Sequence, residues 1–101
     1  MLSNAMDNKF NTNDIPRIAS PPFRFQWEEA QDCYVVLYPE GMVKLSLSAG
    51  EILKRCDGQT SIKSIIEDLN EHFPGSDLEN DVYKFLEVAY ANGWIRTKKP
   101  D

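Results

Sequence analysis

The chain has 101 residues, with eleven Lys and Arg against sixteen Asp and Glu, a formal net charge of −5 and one His. That length fits a single domain, and a chain this size buries roughly 65% of its unfolded surface, enough for one modest core. The acidic balance counts against nonspecific affinity for nucleic acid or anionic lipid, and no apolar run approaches the ~18 residues of a membrane helix, so a cytoplasmic protein is expected. With 42% apolar residues, the chain reads as folded.

Residues 1–15 are polar and Asn-rich, and Ser3-Asn4-Ala5 ahead of Met6 reads as a cloning scar before a natural start. This segment is expected to be a disordered arm, with the domain proper spanning residues 16–97. From Pro22 the period becomes two. Phe23, Phe25 and Trp27 alternate with Arg24, Gln26 and Glu28, the pattern of a strand with one buried face. After a turn at Glu29–Asp32, Cys33–Tyr38 resumes in β-branched and aromatic residues. Pro39-Glu40-Gly41 makes a second turn, with Gly41 suited to a positive φ. Met42–Leu45 then forms a third strand, with Val43 and Leu45 on one face and Met42 and Lys44 on the other.

Beyond Leu47 the period is helical. Ala49, Ile52, Leu53 and Cys56 make one stripe on a helix over 47–56, capped by Ser46 or Ser48 and ended by Asp57-Gly58. Thr60 or Ser61 opens a second helix whose stripe is Ile62, Ile65, Ile66, Leu69 and Phe73, and Pro74-Gly75 stops it. Ser76-Asp77-Leu78-Glu79 has capping-box spacing for a third helix, with Leu78, Val82, Phe85, Leu86 and Ala89 toward the core. Asn92-Gly93 ends that helix, and Trp94-Ile95 folds back onto it. The predicted fold class is α+β: a three-stranded antiparallel sheet followed by three helices, winged helix-turn-helix-like.

Chemistry is sparsely marked. Cys33 and Cys56 read as free thiols acting as small hydrophobes, in preference to a bridge or redox pair. One His (His72) and no CxxC give no metal-ligand set, and His72 at a helix end is read as a dipole contact. P-loop, GxGxxG and GxSxG motifs are absent, and pairs such as Glu28/Glu29 and Glu67/Asp68 read as solvated faces rather than acid–base machinery. The residues therefore predict no enzyme, no catalytic residues, no cofactor and no metal.

Three stretches carry a specific likeness: Trp27-Glu28-Glu29-Ala30-Gln31, Leu37 to Leu45 (LYPEGMVKL) and Ser48 to Gly58 (SAGEILKRCDG). Together with Phe85-Leu86-Glu87-Val88-Ala89 and Gly93-Trp94-Ile95, they resemble the PQQ synthesis protein D (PqqD) family of pyrroloquinoline quinone biosynthesis, from about Pro16 to Ile95. The resemblance implies a winged-helix peptide-recognition module, a RiPP recognition element. Such a chaperone binds the precursor peptide PqqA and presents it to the radical SAM enzyme PqqE without doing chemistry itself. It further implies that the peptide adds as a strand beside Met42, Val43, Lys44 and Leu45 and lies against the third helix, with Asp81, Tyr83, Lys84, Glu87 and Val88 as contacts. Strand addition suits an edge, whose unpaired N–H and C=O groups a peptide satisfies, and Lys44 there both discourages self-pairing and attracts acidic groups.

Two other classes compete. A winged helix-turn-helix can bind DNA, but the third helix carries Asp77, Glu79, Asp81 and Glu87 against Lys84 alone, a poor match to phosphate. A purely structural subunit of an enzyme complex stays open. A monomer in dilute solution, with a tendency to strand-exchanged dimers, is the expected state.

Overall fold

The computed structural model describes residues 10–75 and 77–99. Eight elements follow among them: β1 (Ile15–Ile18), β2 (Arg24–Glu28), β3 (Cys33–Tyr38), β4 (Gly41–Lys44), α1 (Leu47–Lys54), α2 (Ile62–His72), α3 (Glu79–Ala91) and β5 (Ile95–Lys98). The strands β2-β3-β4 form the antiparallel meander that the alternation predicts, and three helices follow it in an α+β, winged-helix-like arrangement.

One face of the meander explains its register. Phe25, Val36 and Val43 stand opposite one another across the three strands, as do Trp27 and Tyr34. Phe25 stacks on Tyr34 with ring centroids 4.8 Å apart, and Trp27 meets the same ring edge-on at 5.0 Å. Such cross-strand aromatic pairs hold a sheet in register. Helix α1 lies on this face, close enough that a Cβ at Gly50 would stand 2.8 Å from the Tyr34 ring. Below it, Ile52 and Leu53, Ile62, Ile65 and Leu69, and Val82, Leu86 and Ala89 join Val36 in one core. Each isoleucine buried there contributes on the order of 1.5–3 kcal/mol.

The helix ends follow the polar residues that flank them. Ser46 Oγ accepts the Ala49 N–H and Ser61 Oγ that of Ser64, both at 3.2 Å. At the end of α3, Trp94 N–H reaches the Ala89 carbonyl and Gly93 N–H that of Tyr90, with Gly93 at φ +79°. These paired bonds are the Schellman closure that Asn92-Gly93 predicts.

Several expectations are corrected. Helix α1 stops at Lys54, so Cys56 lies just past it, although still buried. Leu78 stands at the N-cap of α3 without a side-chain cap bond, and Ser76 of the expected capping box lies outside the described residues. Gly41 has no positive φ; it pairs with Tyr38, whose hydroxyl a Cβ would meet at 3.3 Å. Phe73, expected on the α2 stripe, follows the helix as its C-cap and is exposed.

The largest correction is at the chain ends. β1 and β5 form a second, two-stranded antiparallel sheet, Ile15 opposite Lys98 and Ile18 opposite Ile95. The boundary expected at 16 therefore falls inside a strand, and packing begins earlier still. Phe10 is buried and meets Tyr90 edge-on at 5.6 Å. Asp14, 1% exposed, accepts the Asn11 N–H at 2.9 Å and Lys99 Nζ at 3.0 Å. The Asp14 and Thr12 carbonyls accept the Ile62 and Lys63 N–H groups, each at 2.9 Å. Residues 10–14 thus satisfy donors that the first turn of α2 leaves free. The cloning-scar reading concerns residues outside the described range.

Both cysteines are free thiols, Cys33 half-buried and Cys56 buried. Burial pushes the Cys56 thiol up to about 12, which makes it inert as a nucleophile. His72 Nδ1 lies 2.9 Å from the Asp68 carbonyl oxygen at the end of α2, in keeping with a helix-end contact.

Arg55 ties α1 to α2, its Nε 2.6 Å from Asp68 Oδ2 and its Nη1 2.8 Å from Glu51 Oε1. Partial burial opposes the Arg55 charge, yet the bonds to Glu51 and Asp68 hold its pKa above the ordinary value. The same Arg55 hydrogen bond lowers the Asp68 pKa. A carboxyl whose folded pKa lies below its unfolded one stabilises the fold above the unfolded value, near 3.9. That contribution is lost as pH falls through the folded pKa. Asp68→Asn is therefore expected to lower the melting temperature at pH 7, and the difference from wild type should shrink steadily as the pH falls below about 4. A difference that stays constant across a calorimetric pH series would overturn the pairing.

Candidate functional site

β4 is an edge of the meander among the described residues. Its free side is fixed by one hydrogen bond. Leu45 N–H donates to the Tyr34 carbonyl at 3.0 Å, in the same register that sets Lys44 opposite Val35 and Val43 opposite Val36. Bonded and non-bonded pairs alternate along an antiparallel ladder. Leu45, Val43 and Gly41 therefore point their backbone groups inward at β3. Met42 and Lys44 point theirs outward, at the open edge. Their side chains are exposed, whereas Val43 packs against the core and Leu45 is buried.

On α3, Asp81, Lys84, Glu87 and Val88 are exposed, and Tyr83 is half-buried against the core. Val88 is 50% exposed, an apolar side chain on the outer surface of the helix. These five residues do not share one face. Asp81, Lys84 and Val88 fall at i, i+3 and i+7 on one flank. Tyr83 lies five residues from Val88, roughly 140° around the helix, with Glu87 and Tyr90 near it. That second flank is where Phe10 packs on Tyr90.

An apolar cavity of ≈ 160 Å³ joins the start of α3 to the start of α1. It is lined by Leu47, Ser48, Glu51 and Ile52 of α1, Leu69 and Phe73 at the end of α2, and Leu78, Asp81 and Val82 at the start of α3. Leu47 is three residues past Lys44, so their Cα atoms are at most about 11 Å apart. The first turn of α1, just past β4, and Asp81 at the start of α3 thus meet at this cavity, and Tyr83, Lys84, Glu87 and Val88 lie outside its lining.

Leu47, 72% exposed, had no role assigned from the sequence, and Phe73 was placed on the core stripe of α2 rather than at a surface site. The available signal for Leu47 was an apolar residue at a helix start, off the Ala49–Ile52–Leu53 stripe. No cluster of His, Cys, Asp or Glu among the described residues has the form of a metal site. No helix among them is long and apolar enough to cross a membrane.

The family model described as coenzyme PQQ synthesis protein D (PqqD) matches residues 33–95, from the start of β3 to the start of β5. The chain belongs to the PqqD family. A curated relative from Azotobacter vinelandii, named PqqA binding protein, is 57% identical over 84 residues, covering 82% of this chain and 90% of the relative. One of the same name from Methylococcus capsulatus is 52% identical over 77 residues, covering 76% and 83%. Among solved structures, the PqqD truncation of Methylobacterium extorquens PqqCD superimposes with a TM-score of 0.72 at 23% identity. It covers 88% of this chain and 96% of that one. That protein is described as a functional, stand-alone RiPP recognition element, and the likeness establishes the shared PqqD fold.

Proposed function

We propose that this PqqD-family chain is a non-catalytic cytoplasmic chaperone that binds the precursor peptide PqqA and presents it to the radical SAM enzyme PqqE. The peptide adds as a strand to β4, bonding to the outward backbone groups of Met42 and Lys44. It then lies along the α3 flank of Asp81, Lys84 and Val88. The open edge of β4 is the observation that carries this reading, because a strand with two N–H and two C=O groups unpaired among the described residues can bind extended peptide through its main chain. The name of the curated relatives, PqqA binding protein, supplies the peptide.

Of the residues expected from sequence, Val43 and Leu45 serve the site by holding the strand to β3 and the core. Tyr83 and Glu87 fit a contact with the enzyme or the N-terminal segment better than one with the peptide. An edge this open also favours a monomer at low concentration that exchanges strands when crowded. The test is an NMR titration of ¹⁵N-labelled protein with synthetic PqqA. Amide shifts at Met42–Leu45, Asp81, Lys84 and Val88 are expected, with little change at Tyr83 and Glu87. An unchanged spectrum at high peptide excess would refute the proposal.

A further inference from the structure

The apolar cavity between the ends of the three helices needs an occupant. It is lined almost wholly by carbon, and two of the exposed large apolar residues of the chain, Leu47 and Phe73, stand at it. A surface of this kind is costly to leave in water.

Its size selects the occupant. Cavities of ~150 Å³ lined by aliphatic and aromatic side chains accept a benzene-sized group, so ≈ 160 Å³ accommodates one side chain and not a helix or a second domain. Its position also selects: it opens at the first turn of α1, whose Leu47 is three residues past Lys44. Its charge adds a third constraint. Of the two carboxylates in the lining, Glu51 is held by Arg55 at 2.8 Å, whereas Asp81 is exposed and forms no ion pair among the described residues.

We infer that this pocket takes one bulky apolar side chain of the captured peptide, from the residues just outside the stretch paired with β4, with a basic neighbour that meets Asp81. The inference rests on the strand-addition reading above and names the side-chain chemistry that reading leaves open. The main chain on β4 would bind extended peptides of many sequences; the pocket makes the choice among them.

The test titrates synthetic PqqA into protein carrying ¹³C-labelled methyl groups, for wild type, Leu47→Asp, Asp81→Asn and Lys44→Pro in parallel. Leu47 is mostly exposed, so a carboxylate there alters the mouth of the pocket without removing core contacts. The Ile52, Leu69 and Val82 methyl signals are expected to shift with peptide. Leu47→Asp should weaken binding tenfold or more and abolish those shifts, and Asp81→Asn should weaken it severalfold, more at low salt. If PqqA moves the Met42 and Lys44 amides while the pocket methyls stay still and Leu47→Asp binds normally, the pocket proposal falls and strand addition stands. If Lys44→Pro binds normally while the pocket methyls shift, strand addition falls, and with it the placement of the pocket side chain beside a stretch paired with β4. A dimer in sedimentation velocity that Leu47→Asp dissociates, with peptide affinity unchanged, would assign the pocket to a second copy and overturn the proposal.

Discussion

Proline at position 44 is expected to cost the protein at least tenfold in affinity for PqqA while leaving it folded, and proline at position 43 to unfold it. The two substitutions are neighbours on β4 and differ only in where the lost N–H points. The Lys44 N–H faces the open edge, so its removal breaks no ladder bond, and edge positions tolerate proline. It does take away a donor that an added strand would use, and it places a ring where that strand must approach. Val43 N–H faces the Val36 carbonyl in the register set by the Leu45–Tyr34 bond, and Val36 is 1% exposed. Leaving that carbonyl unsatisfied costs about 1–3 kcal/mol, and the displaced strand adds the loss of Val43 packing. Circular dichroism melts would separate the folded variant from the unfolded one, and calorimetric titration with PqqA would read the affinity. A Lys44→Pro protein that binds at wild-type strength would mean the peptide docks elsewhere.

Gly50→Val should lower the melting temperature by roughly 5–15 °C, against the usual trend for a glycine within a helix. Replacing such a glycine with a side-chain residue ordinarily gains about 0.5–1 kcal/mol by restricting the unfolded chain. Here the new Cβ would stand 2.8 Å from Tyr34 Cδ2 and 3.1 Å from Tyr34 Cβ, and the ring is held by Phe25 on one side and Trp27 at its edge. Phe25 and Trp27 hinder the ring, and the Tyr34 Cβ is fixed to β3, so α1 is expected to lift from the sheet. Overpacking of this kind costs about 1–3 kcal/mol, and each 1 kcal/mol shifts the midpoint of a domain this size by about 4–8 °C. Overpacking wins. Scanning calorimetry decides it, and a midpoint equal to or above wild type would show that α1 and the sheet yield without strain.

Those two positions also mark how much the sequence disclosed. The meander and the three helices were legible because their signals are local: alternation from Phe23 to Trp27, β-branched residues at Val35-Val36, and stripes such as Ile62–Ile65–Leu69. The sheet of β1 and β5 was not. Each strand has four residues, Pro16 interrupts the first, and the partner lies some eighty residues away, beyond the reach of any window. Phe10 and Asp14 were misjudged for the same reason, since their partners Tyr90 and Lys99 sit at the far end of the chain.

At the site, the turn before Met42 and the isolated Lys44 announced an edge strand. Which amide faces outward depends on the bond from Leu45 to Tyr34. The division of α3 into two flanks was implicit in its spacing, but the cavity that joins Leu47 to Asp81 was not. That cavity is made of three helix ends that no local pattern relates.

The pairing of Ile18 with Ile95 has a kinetic meaning as well. Bringing those residues together closes a loop of about 77 positions, with a chain-entropy cost near 4 kcal/mol, against about 1 kcal/mol for the two-residue turn between β3 and β4. Contacts that span the whole chain form late, after local hairpins and helices have shortened the effective loop. The meander and helices are thus expected to assemble first, with the terminal ladder closing over them and opening ahead of them on the way to the unfolded chain. The open edge of β4 belongs to the early half of that sequence and is expected to persist when the ends let go.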